Sequence, residues 1–312
     1  MQKRTMMVVY ISLIVVISFI VKSKTNFILE ETNSKKESIE STEEESEIII
    51  NVLSNNEIVN LNLEDYVIGV VACEMPASFN IEALKAQAVA SRTFVLNRRK
   101  DKQNYIIKDD TSAQCFQTQE EMQNKWKTNY EKYYNKIKNA VYETKGMYLT
   151  YKDKIITAFY FSMSNGYTEA SENVFSSSRA YLKSVESKWE KSHKDFEKTI
   201  TITIEDLKKK LGLKDNKIQS IKILNRYDTN RVKEVEINNK IYTGVEFRKL
   251  LGLRSTDFDI EYNNKSITIT TRGYGHGVGM SQYGANGMAL LGYTYDEILK
   301  YYYKDIEIKK YN

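Results

Sequence analysis

The 312-residue chain has one proline, Pro76, two cysteines and two histidines. With a single proline there are few forced breaks, so element ends have to be read from caps, glycines and pattern. Two cysteines without a C-x-x-C exclude a disulfide-dense scaffold and a thioredoxin-like redox motif. For Cys73 and Cys115 two readings stay open: a bridge in an exported protein, or two small buried residues. The second is favoured at Cys73, whose neighbours are Val71 and Ala72. A zinc site built from these cysteines with His193 and His276 is possible only as arithmetic, because the spacing fits none of the compact ligand patterns. Net charge is also scarce: +5 with 28% charged residues. That balance is too diffuse for nucleic acid, and it suits at most a weak attraction to an anionic wall polymer or a membrane surface.

Long apolar runs are absent but for one. Met6 to Val21 lies between Lys3 and Arg4 on one side and Lys22 and Lys24 on the other. At about 1.5 Å per residue it falls short of the roughly 30 Å hydrocarbon layer, so flanking lysines would have to snorkel. Residues 1–24 are expected to be an uncleaved membrane anchor, since no small-x-small cleavage site follows, with the N-terminus inside. Residues 25–47 hold mostly Ser, Glu, Lys and Asn and cannot assemble a core, which predicts a tether. Residues 48–312 then form the folded part.

That part reads as α+β, a mixed helix and hairpin domain. I-I-I-N-V-L and I-V-N-L-N-L around S-N-N-E predict a hairpin. A short helix follows, opened by Glu64 or Asp65, and near its end stands Glu74, a lone acid among Val70, Val71, Ala72 and Met75. Pro76 cannot continue that helix and disfavours helical geometry at Met75, so the acid sits at a helix-to-loop edge. A carboxyl in such surroundings loses hydration, which raises its pKa toward the range where it can donate a proton near neutrality. The alternative is an ordinary buried helix whose one charge looks out to solvent. Asn80 caps a second helix running to Arg99, on which Gln87, Ser91 and Arg92 either lock the interior or orient Glu74 or a substrate hydroxyl.

Further on, 104–117 is loop-like, and Glu120 to Lys145 is one long helix-period segment closed by Gly146. M-Y-L-T-Y and I-I-T-A-F-Y-F predict a second hairpin, ending in S-M-S-N-G-Y-T-E-A. There Ser162, Ser164 and Thr168 serve either turn chemistry or hydrogen bonds to a ligand. Residues 200–270 contain two similar helix patterns, each ending at Leu-Gly, and suggest an inserted α/β sub-lobe. R-G-Y-G-H-G-V-G-M-S-Q-Y-G-A, from Arg272, precedes a final helical stretch. Its glycines alternate and no P-loop lysine is present, so it is neither dinucleotide nor Walker chemistry.

Three of these stretches carry a resemblance. V-I-G-V-V-A-C-E-M-P-A-S-F with E-A-L-K-A-Q-A-V-A-S-R-T, the S-M-S-N-G loop and G-Y-G-H-G-V-G-M-S-Q-Y-G-A together resemble the stage II sporulation protein D (SpoIID) family, and span most of 48–312. The resemblance implies a peptidoglycan lytic transglycosylase with Glu74 as its catalytic acid. It implies Gln87, Ser91, Arg92, Ser162, Ser164, His276, Gln282 and Tyr283 as substrate-side candidates, His276 facing Glu74. In the loop, Asn165 replaces the first glycine of the family's S-x-S-G-G, tolerable because Asn accepts positive φ better than most residues. Some members bind zinc through clustered Cys and His. Cys115 corresponds to one such ligand but its companions are missing, so no metal and no cofactor is expected. The implied setting is the outer face of the mother-cell membrane during engulfment, on peptide-stripped glycan, with a wall amidase and a membrane scaffold as partners. A non-catalytic glycan-binding enhancer of an amidase is the rival expectation.

Overall fold

The computed structural model describes residues 48–311, apart from 55, 101, 103, 104, 110–112, 176, 215 and 216. The expected anchor and tether lie outside the described residues, and among the described residues no helix is long and apolar enough to cross a membrane.

The first hairpin forms as its pattern predicts, Ile49–Ser54 antiparallel to Glu57–Asn62. Asn62 caps helix α1 (Leu63–Glu74), its side chain accepting from the Asp65 amide at 3.0 Å, so the cap lies just before the acids expected to open it. Met75 leaves the helix with φ −117° and ψ 145°, the extended geometry that a following proline imposes. Helix α2 (Ile81–Arg99) starts at the Asn80 cap and threads the main core, packed against α1 and three later helices. Half of its buried residues are alanine or valine, which lets those neighbours approach closely.

The long helical segment is broken. Helix α3 (Gln119–Trp126) and helix α4 (Tyr130–Glu143) are separated by a 3-10 turn at 127–129, where Lys127 has φ 47°. The 104–117 stretch contributes a short strand, Ile106–Lys108, parallel to the first strand. The second hairpin is shorter than its pattern: Met147–Tyr151 turns through Lys152 and Asp153 into Lys154–Ile155 only. The chain then leaves, and Tyr160–Phe161 pairs in parallel with Met280–Ser281.

Residues 197–272 have a hydrophobic core of their own, including Leu207, Val235, Phe247, Phe258 and Ile269. Helix α5 (Ile204–Leu211) and helix α6 (Gly244–Leu251) each end on a left-handed glycine, Gly212 and Gly252. They pack on two three-stranded antiparallel sheets. Asn165 ties this sub-lobe to the serine loop: its amide donates to the Thr229 carbonyl at 2.7 Å and to Asp257 Oδ2 at 2.8 Å. The positive φ expected at Asn165 falls instead on Gly166, at 114°. The asparagine is therefore there for its side chain.

The alternating glycines are read by contact. Gly277 and Gly279 have φ of 88° and 80°; a Cβ on the first would meet the Arg231 guanidinium at 2.7 Å, and on the second the Phe159 carbonyl at 2.0 Å. The segment thus lies flat against residues 159–163 and the Arg231 side chain before entering helix α7 (Gln282–Leu290), and helix α8 (Tyr295–Tyr302) closes the core.

Candidate active site

Glu74, the last residue of α1, lines an open cleft of ≈ 390 Å³ with Cys73, Met75, Pro76, Lys125, Ser162, Gln282 and Tyr283. Among the described residues lining it, Glu74 is the only carboxylic acid. Lysines from the α3–α4 arm brace the turn behind it. Lys125 Nζ donates to the free Ala72 carbonyl at 3.0 Å, and Lys136 Nζ donates to the carbonyls of Ser78 and Phe79.

Each carboxylate oxygen has its own donor. Oε1 accepts from the Cys115 amide at 2.9 Å; Oε2 lies 3.5 Å from Gln282 Nε2. Burial pushes the Glu74 carboxyl above the ordinary carboxylate range, and the Cys115 amide, Gln282 and the Tyr160 hydroxyl pull partly against it. Cys115 is fixed by a disulfide to Cys73, the residue before the acid, so the bridge reading holds over the buried-thiol one. Both cysteines are in fact only half-buried. With that sulfur engaged and no cluster of three His, Cys, Asp or Glu among the described residues, Cys115 does not fit a zinc ligand.

Behind the carboxylate lies a polar layer. Gln282 Nε2 also reaches Gln87 Oε1 at 3.4 Å, and Gln87 Nε2 donates to Ser91 Oγ at 2.9 Å. Gln114 accepts from the Tyr66 hydroxyl at 3.0 Å and donates to the Tyr160 hydroxyl at 2.9 Å. Gln87 and Ser91 are fully buried, so they orient Gln282 and have no surface for a substrate. Ser162 and Tyr283 do line the cleft, and the Tyr283 amide donates to the Ser162 carbonyl at 3.0 Å. The Tyr283 ring is wedged edge-on against Phe79 and His193.

Three sequence candidates lie elsewhere. Arg92 is wholly buried, its guanidinium donating to both Glu64 oxygens and to the Met147 and Val141 carbonyls. Ser164 is buried on Glu190, with its hydroxyl donating to the Ser187 carbonyl at 2.6 Å. His276 does not face Glu74. Along an extended strand side chains alternate, and Tyr160 and Ser162 turn to the cleft while the Phe159 and Phe161 rings pack on His276. His276 Nδ1 accepts from the Val278 amide at 3.0 Å, and burial with the nearby Arg248 and Arg231 charges holds the imidazole down to about 4.

Sequence reasoning missed Tyr160, Gln114 and the Cys115 amide. A backbone donor has no residue signature, and Tyr160 is one of 23 tyrosines. It also missed Glu190, which accepts from the hydroxyls of Ser187 and Ser281 and the Ser164 amide. Ser281 caps α7, so this buried acid sets the helix that presents Gln282.

The family profile described as SpoIID, "Stage II sporulation protein", matches residues 53–151, the part that contains Glu74, Cys115 and the polar layer on α2. "Stage II sporulation protein D" of Bacillus subtilis is 44% identical over 264 residues, covering 82% of this chain and 77% of that protein. The chain belongs to the SpoIID family. Its counterpart of the same name in Bacillus amyloliquefaciens is 41% identical over the same shares. The "Amidase enhancer" of Bacillus subtilis is 33% identical, with 78% of this chain matched to 40% of that longer protein. SpoIID membership places the chain in a sporulation family; the profile's region holds the acid, the Cys115 amide and Gln87, while Tyr160 and Gln282 come from beyond it.

Proposed function

We propose that this SpoIID-family chain is a peptidoglycan lytic transglycosylase with Glu74 as its single acid and base. The observation that carries the reading is a solitary carboxyl in an open cleft, raised in pKa by burial and held by a backbone amide. A hydrolase of the usual kind flanks the bond with two carboxyl groups. Here one group does both jobs. Because Oε1 is committed to the Cys115 N–H, the acid proton resides on Oε2, beside Gln282. That proton goes to the glycosidic oxygen between N-acetylmuramic acid and N-acetylglucosamine as the C–O bond breaks. The resulting carboxylate takes the proton of the muramic primary hydroxyl, whose oxygen closes the anhydro ring. The Cys115 amide, Gln282 and Tyr160 stabilise the carboxylate between the two transfers.

The disulfide supports an extracytoplasmic site. With the apolar N-terminal run it fits a membrane-tethered enzyme of engulfment, acting on glycan stripped by an amidase and working with a membrane scaffold. A second reading, a non-catalytic enhancer of an amidase, rests on the likeness to the "Amidase enhancer". Glu74→Gln separates them on amidase-treated sacculi. An enzyme loses its anhydro products with the variant; an enhancer forms none before or after and still stimulates the amidase. Products one water heavier would instead mean a muramidase.

A further inference from the structure

Three of the four buried side-chain nitrogen or oxygen atoms without a hydrogen-bond partner among the described residues are arginine nitrogens: Arg179 Nη1, Arg231 Nε and Arg254 Nε. Buried polar groups are ordinarily paired, so such a concentration calls for a reason. Arg254 and Arg231 touch one turn, Tyr274–Gly277, and Arg179 stands one aromatic ring away from it. Arg254 stacks on the Tyr274 ring at 4.5 Å and accepts from the Gly275 amide through its carbonyl; the Arg231 guanidinium lies against Gly277. Arg179 stacks on Phe159 at 5.3 Å, and Phe159 and Phe175 in turn pack on the His276 ring. A fourth arginine, Arg248, donates to the Arg254 carbonyl at 3.3 Å and acts electrostatically on both His276 and Arg231.

Among the described residues no acid forms an ion pair with them at contact distance. Glu169, Asp257 and Glu190 lie within electrostatic reach of Arg231, but their oxygens are committed to other groups, those of Glu190 to Ser164, Ser187 and Ser281. Glu169 accepts from Thr229, Ala170 and Asn173; Asp257 accepts from Asn165 and Asn230 and pairs with Arg226 and Arg272. Arg179, Arg248 and Arg254 are half-exposed, and Tyr274 is 47% exposed. Guanidinium groups gathered around an aromatic surface are the side chains that bind planar oxyanions by paired N–H donors.

We propose that Arg179, Arg248 and Arg254, with Arg231 behind them, form a subsite for an oxyanion, a carboxylate or a phosphate borne on a ring that rests on Tyr274. It lies across residues 159–162 from the cleft and stands independently of the reading of Glu74.

The test follows the arginine Nε–H resonances of the full-length chain in non-ionic detergent by NMR. Sodium acetate and inorganic phosphate are titrated separately at ionic strength held constant with chloride. Saturable shifts with either anion, weakened roughly tenfold in an Arg179→Gln/Arg254→Gln double variant and unchanged in Glu74→Gln, support the subsite and show which headgroup it takes. Should the double variant fail to fold, Arg254→Lys, which keeps the charge and loses the fork, must weaken binding. Shifts that match the chloride control for both anions, or that survive these arginine changes, overturn it.

Discussion

The Cys115 amide donates to Glu74 Oε1 over 2.9 Å, and Cys115 is itself tied by its sulfur to Cys73, the residue that precedes the acid. One covalent bond therefore fixes both the carboxylate and its strongest donor. Replacing both cysteines by serine, or reducing the bridge, is expected to cost about 2–4 kcal/mol in urea unfolding for a cross-link of this loop size. It should also slacken the amide contact. Since that contact favours the ionised form, the Glu74 pKa rises further, and the basic limb of the rate profile moves to higher pH while the maximum rate falls. A profile that keeps its limb and its height would dissociate the disulfide from the acid.

Glu74→Gln is expected to make the protein more stable near pH 7.5. In the folded chain desolvation raises the carboxyl above its unfolded value, so the folded state keeps its proton to higher pH than the unfolded one. Stability from this group is then greatest below the ordinary carboxylate range and is lost as pH rises through the folded value. Gln removes that loss. The gain should be on the order of 1 kcal/mol at neutral pH and vanish in acid, read from paired urea curves at pH 4 and pH 7.5. A less stable variant at neutral pH would mean that the hydrogen bonds outweigh burial.

Arg92→Ala should unfold or severely weaken the protein, by about 3–5 kcal/mol, because it strands the buried Glu64 carboxylate. Arg92→Lys keeps the charge and loses the fork that also satisfies the Met147 and Val141 carbonyls, so a large part of the cost should remain. Molecules that do fold should retain their turnover, since Arg92 has no access to the cleft. A folded Arg92→Lys protein with normal stability and no activity would put the side chain back among the substrate contacts.

What could be read in advance follows from what each signal encodes. Asn80 and its helix, the Pro76 stop beside Glu74 and the two Leu-Gly helix ends are set by local backbone rules, and they appear where the pattern puts them. The break at Lys127 has no residue signature: neither glycine nor proline stands between Trp126 and Tyr130, and a lysine takes the positive φ. On α2, Gln87 and Arg92 stand five residues apart, yet one faces the carboxylate layer and the other an ion pair with α1. Spacing along one helix fixes the direction of a side chain but says nothing of which partner waits there. His276 was drawn to the cleft by its motif, and only the alternation of the neighbouring strand turns it away.

Asn165→Gly offers the last and most local expectation. It would restore the glycine of the family pattern, yet the asparagine amide holds two buried acceptors of the sub-lobe, the Thr229 carbonyl and Asp257 Oδ2. Losing it leaves Asp257 to Asn230, Arg226 and Arg272 on its other oxygen, at a cost of about 1–3 kcal/mol. Because 197–272 has its own core, the loss should show as loosened attachment before global unfolding. Hydrogen exchange is then expected to quicken at Gly166–Tyr167 and at the 227–232 turn while the amides of α2 keep their protection. If α2 quickens in step with that turn, the sub-lobe and the main core open as one unit, and the Asn165 contact is merely part of a single cooperative fold.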